Sequence, residues 1–155
     1  GLVGSEMCIR DRRKILLATD FSSACTQAYF HALNMARLHG AQLVISHVWR
    51  PQTGDRRDAA YWLDLLEQIR PVDESIPVTH ALLRGEPAAE LVAYAGAHDI
   101  DLIVLGRQGR HDAGQDLLGS VTEEVLRDAP CTVLVARVPR CRSAEPAADA
   151  VRLLA

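Results

Sequence analysis

Glycines cluster in one short stretch of the sequence, from Gly106 to Ser120, which reads GRQGRHDAGQDLLGS. Gly106 and Gly109 follow the apolar run DLIVL, and Gly119 precedes a segment with helical periodicity. Glycine allows a tight turn and a close approach of the main chain to a ligand. The N-terminus of a helix favours an anion. The spacing is therefore compatible with a phosphate-binding loop.

The same stretch also has an ordinary interpretation as a surface loop. SVTE at 120–123 has the form of a capping box, in which Ser120 satisfies the N–H of Glu123. No GK[ST] follows the glycines, so this is not the Walker pattern, and a dinucleotide fingerprint would follow the first strand rather than the fourth. Loose glycine motifs often occur without a ligand. The residues alone support both interpretations about equally.

Composition excludes several classes of function. A chain of 155 residues suffices for one domain with one core. The formal net charge of −3 offers no basic surface for nucleic acid or for an anionic membrane. The apolar runs are far shorter than the roughly 20 residues that a membrane span needs. We therefore expect neither a nucleic-acid partner nor a membrane.

Cysteines and histidines are scattered along the chain. The four cysteines, at positions 8, 25, 131 and 141, form no CxxC pair. That distribution is typical of reduced thiols in the cytoplasm rather than of a disulfide framework or a zinc site. The six histidines also lack the spacing of a metal site. We expect a cytoplasmic protein without a metal centre built from side chains.

Five short apolar runs have the length of buried strands. They lie at 14–19, 41–49, 76–85, 101–106 and 131–138. Pro77 places the third run near an edge of the sheet, since proline cannot donate a ladder hydrogen bond.

Four segments between these runs repeat apolar residues at the spacing of one helix face. Gly40 is expected to end the first helix, Pro71 the second and Pro130 the fourth, and Pro87 to open the third. The apolar faces are Ala28, Ala32, Met35 and Ala36; Trp62, Leu65, Leu66 and Ile69; Ala88, Leu91, Val92 and Ala95; and Leu118, Val121, Val125 and Leu126.

The alternation of strand and helix predicts an α/β fold, a single doubly wound, five-stranded parallel sheet with four helices. We expect the domain to occupy residues 13–139. Residues 1–12, GLVGSEMCIRDR, have no periodicity and are similar to a translated sequencing adapter, so we expect a non-native, unstructured leader there. Residues 140–155 are expected to form a flexible tail.

The glycine motif, G-x2-G-x9-G-S between DLIVLG and VTEEVLRDAPCTVLVAR, resembles the ATP-binding signature of the universal stress protein (UspA-like) family. KILLATDFS in the first strand, HVW at the end of the second and RGEPAAEL after the third are also similar to that family. The similarity extends from Lys14 to Val138. It implies a Rossmann-like sheet with strand order 3-2-1-4-5.

The resemblance also implies the residues of a nucleotide site. In nucleotide-binding members the glycines and serine of the signature hold the phosphates and ribose, the aspartate after strand one lies beside the nucleotide, and the valine of HV recognises adenine through its backbone. The corresponding positions and their neighbours are Ala18, Thr19, Asp20, Val48, Leu105, Gly106, Gly109, Gly119, Ser120 and Val121. Asp20 also has a simpler interpretation that needs no ligand, since a carboxylate near a helix N-terminus stabilises the helix by about 0.3–1 kcal/mol.

The function implied by the resemblance is binding of ATP or a related adenine nucleotide, with Mg²⁺ or Mn²⁺ on its phosphates, as an effector in a stress response. The family also implies a homodimer through the last strand, 131–138, whose uncovered edge suits such pairing. No evident general base is present, so we expect little or no turnover. The alternatives are a nucleotide-free dimeric interaction module of the same fold and a slow ATPase.

Overall fold

The computed structural model describes residues 13–107 and 118–138. The expected leader, Gly109 and the expected tail at 140–155 lie outside the described residues.

Strands and helices alternate throughout the described chain, and all nine predicted elements are present. The strands are β1 Lys14–Ala18, β2 Gln42–Trp49, β3 Val78–Arg84, β4 Leu102–Gly106 and β5 Thr132–Ala136. The helices are α1 Ala24–His39, α2 Ala59–Glu67, α3 Pro87–Ala97 and α4 Ser120–Asp128.

The five strands form one parallel sheet in the order β3-β2-β1-β4-β5, which confirms the predicted fold and strand order. The winding direction reverses between β1 and β4. The β1–β2 pairing runs on to Ala18 and Ser46, whereas the β1–β4 pairing ends one step earlier, at Leu17 and Val104. The two central strands therefore separate at their carboxyl ends, where open α/β sheets bind ligands.

Two apolar clusters cover the two faces of the sheet. Ile15 and Leu17 of β1 belong to the cluster beneath α1 and α2, and Leu16 belongs to the cluster beneath α3 and α4. This alternation follows from the two-residue period of a strand. In the two described segments, no helix combines the length and apolar character needed to cross a membrane.

Most helix boundaries follow the predicted residues. Gly40 ends α1 in the left-handed conformation at φ 58°, and Pro87 lies in the first turn of α3. Asp58 caps α2 by accepting a hydrogen bond from the N–H of Tyr61. The end of α2 differs from the prediction, because the helix stops at Glu67, several residues before Pro71.

The predicted capping box at 120–123 is wrong. Gly119, extended at φ −67° and ψ 154°, is the N-cap of α4, and Ser120 is already the first helical residue. The N–H of Glu123 donates to the carbonyl of Gly119 at 3.0 Å, so no side chain caps this helix.

The predicted apolar face of α4 is correct only in part. Val125 is fully buried and Val121 packs on the core, but Leu118 precedes the helix and Leu126 lies on its outer side, 43% exposed. Thr122 is buried instead, and its hydroxyl is satisfied by donating to the carbonyl of Gly106 at 3.0 Å.

Candidate functional site

A cavity of about 520 Å³ lies at the carboxyl ends of β1, β2 and β4, beside the start of α4. Its size is within the range of small-molecule sites. Nine predicted site residues line it together: Ala18, Thr19, Asp20, Val48, Leu105, Gly106, Gly119, Ser120 and Val121. Gly109, the tenth, lies outside the described residues.

One wall of the cavity is apolar. Its residues belong to or pack against the core cluster beneath α3 and α4: Leu91 and Leu105 are members, and Ala18, Val48 and Val121 pack against it. Such a wall suits a flat, weakly polar ring, and the neighbouring main chain of β2 can supply directional hydrogen bonds.

The β4 side of the cavity is built chiefly from main chain. The N–H of Gly119 donates to the carbonyl of Arg107 at 2.9 Å, which joins the start of α4 to the end of β4. The carbonyl of Gly106 accepts from Thr122, and a Cβ on Gly106 would lie 3.4 Å from the carbonyl oxygen of Ala24. The first helical N–H groups of α4, from Ser120 to Thr122, have no acceptor within the helix. This end of the cavity can therefore donate several hydrogen bonds to an anion.

The β1 side is organised by side chains. The N–H of Thr19 donates to the carbonyl of Ser46 at 2.9 Å, and the Thr19 hydroxyl accepts from the N–H of Phe21 at 3.0 Å. Phe21 adopts φ 63°, in the left-handed region that aromatic residues rarely occupy. Backbone strain of this kind persists only where the surroundings hold it, and it is frequent at functional sites.

An aromatic cluster of Phe21, His47 and Trp62 holds that conformation. The ring of Phe21 lies 4.7 Å from that of His47 and stacks on Trp62 at 5.8 Å. The Nδ1 atom of His47 lies 2.8 Å from the carbonyl oxygen of Thr19. Because a carbonyl only accepts, Nδ1 carries the hydrogen, and the ring fastens β2 to the end of β1.

Asp20 is held by groups at the start of α1. Its Oδ1 accepts a hydrogen bond from the N–H of Ser22 at 2.9 Å and from the thiol of Cys25 at 3.0 Å. Burial, reinforced by the nearby Asp20 carboxylate, raises the pKa of Cys25 above its ordinary value. The thiol is therefore protonated at neutral pH and acts as the donor.

Two arginines line the far side of the cavity, each paired with a carboxylate. Arg57 forms an ion pair with Asp55 at 2.8 Å and lies 5.2 Å from the centre of the Trp62 ring. Hydrogen bonds from Arg57 lower the pKa of Asp55. Arg50 pairs with Glu86 at the start of α3. These pairs leave the described lining nearly neutral, and the Arg50–Glu86 pair joins the β2–α2 loop to the start of α3.

A metal site is not assembled from side chains in residues 13–107 and 118–138, since no three His, Cys, Asp or Glu side chains converge there. Mg²⁺ or Mn²⁺ at this cavity would therefore depend on oxygen ligands from a bound phosphate group.

Several lining residues were not among the predicted site residues, and they fall into two groups. Ser46 and His47 directly precede Val48, and Cys25 follows Asp20 by five residues, so their proximity to predicted residues was available in the sequence. Arg57 and Trp62 reach the cavity only because α2 packs over the end of β2. No local sequence pattern indicates that packing.

Comparison with known proteins identifies a family. The model of the universal stress protein family matches residues 11–137. A universal stress protein of Methanocaldococcus jannaschii is 30% identical over 142 residues, which cover 83% of this chain and 84% of the relative.

Solved structures of similar proteins share the fold. The universal stress protein UspA from Lactobacillus plantarum is 28% identical, with a TM-score of 0.72 and coverage of 81% of this chain and 97% of that one. A universal stress protein solved in complex with cAMP is 25% identical, with a TM-score of 0.63 and coverage of 80% and 95%.

Proposed function

The chain belongs to the universal stress protein family, and we propose that it binds ATP or a related adenine nucleotide as an effector in a stress response. The observation that carries the proposal is the convergence of nine predicted residues, from three strands and one helix, on a single cavity. A similar protein was solved with the adenine nucleotide cAMP, which supports the ligand class.

The described residues offer a distinct surface for each part of such a ligand. The apolar wall of Ala18, Val48, Leu105 and Val121 suits the base. Asp20 would accept from a ribose hydroxyl. The end of β4 and the first turn of α4 would hold phosphate through main-chain N–H groups. A divalent cation would neutralise phosphate charge, because the lining arginines Arg50 and Arg57 are already paired.

We propose that the nucleotide acts by occupancy rather than by hydrolysis. Efficient phosphoryl transfer to water needs a positioned base and charge stabilisation. Among the described lining residues, Cys25 is protonated and donates a hydrogen bond to Asp20, and Asp55 forms an ion pair with Arg57. His47 packs within the aromatic cluster and bonds the Thr19 carbonyl. These groups have structural partners that compete with a catalytic role.

The proposal includes a homodimer formed through the fifth strand. It also includes a cytoplasmic location, which the scattered cysteines predict. In the described sheet β5 pairs with β4 on one side, and Val133, Leu134 and Val135 are only partly buried. An edge with unpaired main-chain groups and apolar side chains is a template for pairing with a second copy. Sedimentation would show a dimer for the native chain and a monomer for Val135→Lys; a monomeric native chain would contradict this part of the proposal.

The test of nucleotide binding is the melting temperature with ATP and Mg²⁺. A ligand at about 100 times its Kd stabilises the folded state by about 2.7 kcal/mol. Gly119→Val, which adds a branched side chain to the cavity lining, should abolish the shift. Gly96→Val is the matched control, because a Cβ at Gly96 meets nothing within 4 Å.

Two results would contradict the proposed function. One is no shift of the native chain with millimolar ATP, ADP, AMP or cAMP, which would favour the nucleotide-free module. The other is an unchanged shift in Gly119→Val, which would place the ligand elsewhere. Phosphate release at many turnovers per minute would contradict the effector role alone.

A further inference from the structure

Cys25 lies between the two ends of the cavity. It occupies the first turn of α1, is 8% exposed and lines the cavity. Its Sγ lies 3.0 Å from Oδ1 of Asp20 on the β1 side. On the β4 side, a Cβ on Gly106 would lie 3.7 Å from the same sulfur. The thiol thus packs against the end of β4 while it bonds the carboxylate at the end of β1.

Two donors meet on one oxygen of Asp20. The N–H of Ser22 binds Oδ1 from the main chain at 2.9 Å, and the thiol of Cys25 binds it from the helix. A quarter turn of the carboxylate about its last side-chain bond would weaken both contacts, whereas a half turn only exchanges its two equivalent oxygens. The pair of donors therefore fixes the direction in which Asp20 faces the cavity.

We infer that Cys25 is a positioning residue for nucleotide recognition, whose thiol holds the Asp20 carboxylate in the orientation that accepts a hydrogen bond from a ribose hydroxyl. The inference rests on the proposed function. It assigns Cys25 a role that acts through Asp20.

A residue that only filled space would behave differently. Truncating a packing side chain weakens the binding of every ligand in the cavity to a similar extent. Truncating a positioning residue weakens the binding only of ligands that carry the group recognised by Asp20. Serine retains a hydroxyl donor in place of the thiol, so it should restore what alanine removes.

The experiment is calorimetric titration of the native chain, Cys25→Ala and Cys25→Ser with Mg²⁺ and either ATP or 2′,3′-dideoxy-ATP, which lacks both ribose hydroxyls. A net hydrogen bond of 0.5–1.5 kcal/mol corresponds to a change in affinity of roughly 2- to 12-fold. We expect Cys25→Ala to lower the affinity for ATP by about that factor and the affinity for the dideoxy ligand by less than about twofold. Cys25→Ser should bind ATP within about twofold of the native chain.

A double-mutant cycle isolates the coupling to Asp20. In the Asp20→Ala background, Cys25→Ala should leave ATP affinity unchanged, because there is no carboxylate to orient. The inference is overturned if Cys25→Ala affects both ligands equally, affects neither, or has its full effect without Asp20. If the native chain binds neither ligand, the proposed function itself fails and the inference fails with it.

Discussion

The carboxyl ends of β1 and β4 are neighbours in the sheet, yet they contribute to the cavity in different ways. At the end of β1, side chains determine the geometry: the Thr19 hydroxyl, the Asp20 carboxylate and the Phe21 ring all make specific contacts. At the end of β4, glycines and main-chain hydrogen bonds determine it, with the Thr122 hydroxyl as the main side-chain contribution. The β1 end should therefore be sensitive to loss of side chains, and the β4 end to their addition.

The largest expected effect comes from removing the aromatic support of the β1 end. Trp62 is 9% exposed and contacts both Phe21 and His47. Trp62→Ala should lower the free energy of unfolding by about 3–5 kcal/mol, the range for a buried aromatic residue. Tyr61→Ala is the control, because Tyr61 is 47% exposed and should cost less than about 1 kcal/mol. Urea unfolding measures both; equal losses would show that the cluster does not support this region.

The second prediction concerns the strained backbone of Phe21. Phe21→Ala removes a partly buried ring and should cost about 1–2 kcal/mol. Phe21→Gly loses the same ring but relieves the left-handed conformation at φ 63°. Glycine normally destabilises relative to alanine, and here we expect the reverse, by about 1 kcal/mol. If the alanine variant proves the more stable of the two in urea unfolding, the strain is not present in solution.

The third prediction tests the side-chain hydrogen bond that Thr122 makes at the described part of the β4 end. Thr122→Val keeps the shape of a buried residue but removes the hydroxyl that donates to Gly106. The loss should be about 1 kcal/mol, the net value of one hydrogen bond. Thr132→Val should be close to neutral, because Thr132 is the exposed first residue of β5. Thermal unfolding compares them, and a neutral Thr122→Val would leave main chain alone in control of this end.

The smallest expected effect is a pH dependence at Cys25. Burial raises the pKa of this thiol in the folded state above its usual value near 9.0. The contribution of Cys25 to the free energy of unfolding is therefore fully present below that pH. Stability is then lost as the pH rises above it, since the unfolded chain ionises first. Urea unfolding at about pH 7 and about pH 10 should show a smaller loss in Cys25→Ser than in the native chain.

Cys131→Ser is the control for that measurement. Cys131 is only partly buried, and burial raises its pKa as well. Its replacement should reduce the alkaline loss less than replacement of Cys25. The reverse order would contradict the assignment of the alkaline loss to the cavity thiol.

The sequence predicts the fold well because each element carries its own period and its own boundary residue. Gly40 and Pro87 act within one turn of chain, so their effects follow from local chemistry. The capping-box interpretation places the N-cap of α4 one residue too late, at Ser120, because serine and glycine are both acceptable N-caps. The hydrogen bond from the N–H of Gly119 to the carbonyl of Arg107 favours Gly119.

The candidate site residues are implied by the family resemblance rather than by local chemistry, and the fold explains why those described lie together. Residues at strand ends, such as Asp20, Val48 and Leu105, are placed by the parallel sheet once its order is known. Trp62 and Arg57 are not, because their positions depend on how α2 packs across β2. Long-range packing of this kind leaves no trace in local spacing.

The early end of the β1–β4 ladder has a mechanical consequence. Beyond Leu17 and Val104 the sheet divides, with the N-terminal strands on one side of the split and β4 and β5 on the other. A molecule that forms hydrogen bonds to Asp20 on the β1 side and to the first turn of α4 on the β4 side would bridge this split. A bound molecule would then hold the two parts of the sheet together. Its signature would be slower backbone amide hydrogen exchange on both sides of the split at once.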